Sequence, residues 1–173
     1  MLSPKVSAAL AEQVALEGHA SAQYLAIACW MTQQGFSGSS AFFFRQSDEE
    51  RMHMLKIIHY MLDQDAPVAV PAIEKPSGEF QSYHDCFQSV LASEQRVTRS
   101  IHELVGLAME EKDYATHHFL QWYVGEQIEE EKQVKDIMDK LRIIGSDGSG
   151  LYLLDRELAT LAAAPVAPPT AAE

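Results

Sequence analysis

Apolar residues recur every three to four positions over most of this chain, the spacing of helices that bury one stripe. Ser3 before Pro4 reads as a helix start, a hydroxyl cap followed by proline at the first helical position. Only Gly18 interrupts the pattern before Gly35 stops it, so a first helix is expected over about 4–34. A short loop from Phe36 to Ser39 leads into a second helix over about 40–64. Ala66-Pro67, Val70-Pro71 and Lys75-Pro76-Ser77-Gly78 carry too much proline for a helix, which makes residues 65–81 a long connector. Ser82-x-x-Asp85 has the form of a capping box with Asp in place of Glu, and it opens a third helix over about 82–112. Asp113 can cap a fourth over about 113–144, ended by the Gly/Ser run from Gly145 to Gly150. A short fifth helix is expected over 151–161, then an Ala/Pro-rich tail, 162–173, read as disordered.

Connector lengths predict the topology. Short links make antiparallel pairs of helices one and two and of helices three and four. The long link can run the length of the bundle and set helices two and three parallel. The fold class is all-α: a four-helix bundle with one long crossover and a short fifth helix, in a single domain over 1–161.

The stripes themselves carry the chemistry. Helix one presents Leu10, Val14, Glu17, Ser21, Tyr24 and Ala28; helix two presents Phe43, Gln46 or Ser47, Glu50, His53 with Met54, Ile57 and Met61. Helix three presents Phe87, Leu91, Glu94, Val97 with Thr98, Ile101 and Val105; helix four presents Leu120, Tyr123, Gln127, Glu130, Val134, Ile137 with Met138, and Leu141. Each stripe is apolar above and below and holds a carboxylate near its middle. An isolated buried carboxylate is costly, and each alone would more often be a solvated residue on a misjudged face. Four together need a common cause. Glu94 stands 18 residues before Lys112, and Gln127 and Glu130 stand 14 and 17 after Asp113, so helices three and four bring them level within about a turn. Glu50-Arg51-Met52-His53 adds an E-x-x-H pair on one helix face. Carboxylates with one imidazole form a hard donor set suited to iron or manganese.

Bulk properties narrow the class further. The chain has 173 residues, 47 % of them apolar, enough for one domain with a real core. Its formal charge of -12 disfavours nucleic acid as a partner and is compatible with attracting cations. Cys29 and Cys86 fit two free thiols in a reducing compartment. With no signal-like start and no apolar run long enough to span a bilayer, a cytoplasmic location is expected and no membrane partner.

With these motifs the chain resembles the bacterial non-haem ferritins, within the ferritin-like di-iron superfamily, from Ser3 to about Leu161. The resemblance rests on Glu17 with Tyr24, Glu49-Glu50-x-x-His53, Glu94, and Trp122 with Glu126-Gln127-x-x-Glu130. It implies a ferroxidase that oxidises Fe(II) with O2, and storage of the ferric oxyhydroxide inside a hollow homo-oligomer of 24 subunits. Glu17, Glu50 and His53 would hold one iron, with Glu50 bridging; Glu94, Gln127 and Glu130 would surround the second. Glu49, Glu126 and Glu129 would form a third site towards the cavity, sharing Glu130. Tyr24 would lie beside the metals as a possible electron source, against core packing as the plainer role. Haem is not expected: the residue after Glu50 is Arg51 where haem-binding relatives place a methionine, and Gln127-x-x-Glu130 lacks their second histidine. That missing histidine also argues against the alternative, a rubrerythrin-like di-iron oxygenase or peroxidase on the same bundle. A helical interaction module without metal dependence and a DNA-protecting mini-cage are the further rivals.

Overall fold

A computed structural model describes residues 2–164 and contains five helices: α1 (Pro4–Gln33), α2 (Ser37–Asp63), α3 (Tyr83–Glu110), α4 (Tyr114–Ile144) and α5 (Gly148–Ala163). Among the described residues there is no strand and no helix long and apolar enough to cross a membrane.

Local chemistry explains the helix ends. Ser3 Oγ accepts from Val6 N–H at 3.3 Å, with Pro4 opening α1. Gly35, with φ of 86°, lets the chain turn in a region that side chains disfavour. Ser82 Oγ accepts from Asp85 N–H at 3.1 Å, and Asp113 Oδ1 accepts from Thr116 N–H at 3.0 Å.

Three boundaries differ from the sequence reading. α2 starts at Ser37, not near residue 40, because a partner distant in sequence caps it. Asp155 of α5 accepts from Gly38 N–H at 3.1 Å and Ser39 N–H at 2.7 Å, and these amides would otherwise be orphaned. α5 starts at Gly148, not at residue 151, because Asp147 Oδ2 accepts from Gly150 N–H at 2.8 Å and the glycines join the first turn. It also continues to Ala163, two residues into the segment read as a disordered tail. Residues 165–173 of that tail lie outside the described residues.

Side-chain contacts fix the topology. Tyr83, at the start of α3, packs edge-on against Phe36 at 4.9 Å and bonds Ser39 Oγ at 2.6 Å, both at the start of α2. At the other end, Tyr60 of α2 stacks on Phe119 of α4 at 3.9 Å. So α2 and α3 begin at the same end and run parallel, and the connector spans the bundle. Gly18 makes room for it: a Cβ there would lie 2.8 Å from Ile73 Cδ1 of the connector.

Helix α1 packs closely on α2 and α3, α3 on α4, and α5 mainly on α2. Between α2 and α4 no backbones approach closely; these two helices meet through long side chains. That wider gap sits beside two separate apolar clusters. One, at the α5 end, includes Ile27, Met31, Phe43, Phe87, Ile137 and Leu158. The other includes Val6, Leu10, Ile57, Met61, Ile101 and Leu120. The layer between them is polar.

Candidate metal centre

Four helices deliver the polar layer. Glu17 (α1), Glu50 (α2), Glu94 (α3) and Glu130 (α4) are 1 %, 1 %, 0 % and 7 % exposed, and His53 and Gln127 are buried with them. Each lies on the buried stripe of its helix: Glu17 and Glu94 have apolar neighbours one turn away on both sides, Val14 and Ala20 in one case and Val90 and Val97 in the other, and Glu50 and Glu130 stand next to further polar residues of the layer. Folding the cores above and below therefore forces the acids inward.

The layer has two unlike halves. Glu17, Glu50 and His53 each offer a ligand atom, all within 4.8 Å of one another. His53 Nδ1 lies 3.6 Å from Glu50 Oε2. Gln13 Nε2 donates to Glu17 Oε1 at 2.8 Å, yet Glu17 Oε2 and Glu50 Oε1 are buried without any hydrogen-bond partner. Such orphans cost free energy unless a proton or cation serves them. In the other half, Tyr24 Oη donates to Glu94 Oε1 at 2.8 Å, and Gln127 Nε2 donates to Glu94 Oε2 at 3.2 Å. Gln46 Nε2 donates to Glu130 Oε2 at 3.3 Å.

Electrostatics follow from this crowding. Burial first, then the facing charge of Glu50, drives the Glu17 carboxyl well above its usual range. Glu50 is raised likewise, by burial and then by Glu94 and Glu130. Burial raises Glu94 against the opposing hydrogen bonds from Tyr24 and Gln127. Glu130 is pushed up to about 8, by burial and then by Glu94. Burial and neighbouring carboxylates keep the Tyr24 phenol protonated far above neutral pH. The layer thus carries surplus negative charge that protons or cations must balance.

Glu49 and Glu126 sit half-buried at the edge of the layer, and Glu129 is exposed. Glu126 is raised, chiefly by burial, with Glu129 and Glu49 adding to it. Cations flank this group: Arg45 Nε lies 3.0 Å from Glu49 Oε1, and Lys56 Nζ lies 4.3 Å from the centre of the Trp122 ring. Trp122 in turn meets the His53 ring edge-on at 5.2 Å, so it packs against a candidate ligand. Tyr123 Oη donates to His53 C=O at 2.8 Å and steadies the same turn of α2.

Sequence reasoning missed two buried glutamines as partners of the acids. Gln13 lies one turn before Glu17 on its own face, so i,i+4 spacing could have found it. Gln46 was placed on the stripe of α2, but nothing in the sequence shows that it reaches Glu130 of α4.

Comparisons with known proteins point one way. Residues 7–144 match the family described as ferritin-like domain. A probable bacterial non-heme ferritin-like protein of Haemophilus influenzae is 42 % identical over 161 residues, covering 93 % of this chain and 98 % of that one. A bacterial non-heme ferritin of Escherichia coli is 41 % identical over 161 residues with the same coverage, 93 % and 98 %. Among solved structures, an open-pore ferritin of Archaeoglobus fulgidus superposes with a TM-score of 0.90 at 41 % identity, over 92 % of this chain and 98 % of that one. A humanized archaeal ferritin superposes at 0.93 with 38 % identity, over 97 % and 100 %.

Proposed function

We propose, for a chain that belongs to the ferritin family, that it stores iron and that its polar layer is a ferroxidase centre, with Fe(II) and O2 as substrates. The observation that carries this reading is the pair of buried, partnerless carboxylate oxygens, Glu17 Oε2 and Glu50 Oε1, facing His53 inside an otherwise apolar core. A layer so acidic has no structural use in a bundle whose two apolar clusters would pack better joined. Divalent cations supply the missing charge.

Glu17, Glu50 and His53 hold one Fe(II). Glu94 and Glu130, with Gln127 beside them, hold a second, and Glu50 is the acid common to both, as the likeness to bacterial non-haem ferritins implies. Each Fe(II) gives one electron to O2. Hard carboxylate oxygens favour Fe(III) over Fe(II), which drives the oxidation. Protons held by the raised carboxyls leave as cations enter, so binding is coupled to proton release. Glu49, Glu126 and Glu129 form an outer acidic step through which ferric product passes to the inside of a shell of 24 subunits and hydrolyses to mineral. No haem takes part.

Mass measurement of the native particle, together with Fe(II)-dependent oxygen uptake, tests the proposal. The expected result is a hollow particle of about 24 chains that consumes O2 as Fe(II) is added and retains many irons per subunit. A monomer or dimer, or Fe(II) oxidation no faster than in buffer, refutes it.

A further inference from the structure

Outside the carboxylate cluster, Thr98 and Glu131 add to what fixes the facing of the Gln127 amide. Lys135 Nζ pairs with Glu131 Oε2 at 2.5 Å. The other oxygen of Glu131 accepts from Thr98 Oγ1 at 2.7 Å. A hydroxyl has one proton, and here it is committed to Glu131, so Thr98 can only accept from its other neighbour. That neighbour is Gln127, 3.3 Å away. The amide end facing Thr98 is therefore the NH2. The same nitrogen reaches Glu94 C=O at 3.3 Å and Glu94 Oε2 at 3.2 Å. Shape alone leaves a glutamine amide free to be drawn either way; Glu94 C=O, which can only accept, already favours the NH2 here, and the proton count along Lys135, Glu131, Thr98 and Gln127 makes Thr98 a second fixed acceptor.

The consequence falls on the second metal position. With Tyr24 on Oε1 and Gln127 on Oε2, both oxygens of Glu94 already hold hydrogen bonds, whereas Glu17 and Glu50 each keep one free oxygen. A cation arriving at Glu94 competes with those donors. It also meets the amide with its nitrogen, not its carbonyl oxygen, turned to that carboxylate.

We propose that Thr98, aimed by Glu131, is a positioning residue that holds Gln127 as a donor to Glu94 and so keeps the second metal position weaker than the first. This rests on the reading of the layer as a two-iron centre. Thr98→Val keeps the shape and removes the acceptor. The amide then loses one of its fixed acceptors while keeping Glu94 C=O, so it turns its carbonyl oxygen to the cation and releases Glu94 Oε2 at lower cost.

Anaerobic titration of the assembled protein with Co(II), followed by calorimetry and visible absorption, tests it. Wild type should bind in two steps. Thr98→Val should tighten the second step at least about fivefold and leave the first unchanged, because a single buried hydrogen bond is worth about 1 kcal/mol. Glu131→Ala, which removes the partner that aims the hydroxyl, should shift the second step in the same direction. Thr98→Ser should restore wild-type behaviour. A second step that is unchanged or weakened in both the valine and alanine variants overturns the proposal. So does a shift of both steps together, which marks a general loosening of the core. Absence of any Co(II) step in wild type defeats the two-metal reading itself, a result distinct from either.

Discussion

The α1–α2 half of the polar layer and the α3–α4 half have the same number of buried glutamates and differ in how far their oxygens are satisfied. Glu17 and Glu50 face each other and His53 with two oxygens bare. Glu94 and Glu130 each receive a donor, from Tyr24 and Gln127 in one case and from Gln46 in the other. The bare half is poised for a cation and unstable without one. The bonded half already holds donors, from Tyr24 of α1 and Gln46 of α2 as well as its own Gln127, and must exchange these contacts for metal. A storage protein would gain from this asymmetry under the proposed reading: one iron would be captured firmly, and the other held loosely enough to move on as product.

The largest test of the contrast is Glu50→Gln. It removes the carboxylate that the proposed centre assigns to both positions and keeps the shape. The initial rate of Fe(II) oxidation in stopped flow should fall by at least about a hundredfold, beyond the range typical of residues that only support a ligand. In the metal-free protein the same change should raise the melting temperature, since a neutral amide replaces a buried acid with an orphaned oxygen. Glu94→Gln should behave differently. It should cost oxidation about tenfold and leave the metal-free melt unchanged or lower, because Glu94 already has two hydrogen-bond partners to lose. Equal effects of the two substitutions on both measurements would erase the distinction between the halves.

A pH series addresses the charge itself. A carboxyl whose folded pKa lies above its unfolded value binds more protons in the folded state. Its stabilising contribution is complete below about pH 4.5 and is lost as pH rises through the folded value, about 8 for Glu130. Glu17, Glu50 and Glu94 are shifted in the same direction, each first by burial. Thermal stability of the metal-free protein should therefore decline between pH 5 and 8, by on the order of 5 °C. Mn(II) should flatten or reverse that slope, because cations replace the protons with increasing success as pH rises. A metal-free melt that stays flat over this range would show the acids to be solvated.

Much of this contrast could be read in the sequence, and some could not. Residue type and 3–4 spacing suffice for Glu17, Glu50, His53, Glu94 and Glu130, because burial in a bundle is periodic and a carboxylate on the buried stripe is conspicuous. Helix starts at Ser3, Ser82 and Asp113 were equally visible, since the cap and its amide lie three residues apart. What stayed hidden depends on partners brought together by folding. Asp155 caps α2 from more than a hundred residues away, which moved the start of that helix. Thr98 and Gln46 differ in sequence from any other polar residue on a stripe edge only once α4 is packed beside them. The asymmetry between halves was legible only as Gln127 standing where an acid or histidine could stand; which amide end faces Glu94 required coordinates.

Tyr24→Phe should have the smallest effect, and it separates packing from redox chemistry at the seam between the halves. The ring belongs to the apolar cluster at the α5 end and lies 5.9 Å from Phe43, so phenylalanine fills the same space. Only the hydroxyl is lost, and with it the 2.8 Å bond to Glu94 Oε1. Removing a buried hydrogen bond to a carboxylate should lower metal-free stability by about 1–2 kcal/mol. It also frees one oxygen of Glu94 and makes the second position slightly more like the first. The expected change in the initial oxidation rate is therefore less than about threefold, well under the loss in Glu94→Gln, since no ligand oxygen is removed. A loss approaching that of Glu50→Gln, in a variant with an intact second metal-binding step, would instead make the phenol an electron donor to O2. Its position within hydrogen-bonding distance of Glu94 would then matter for electron transfer as well as for holding that carboxylate.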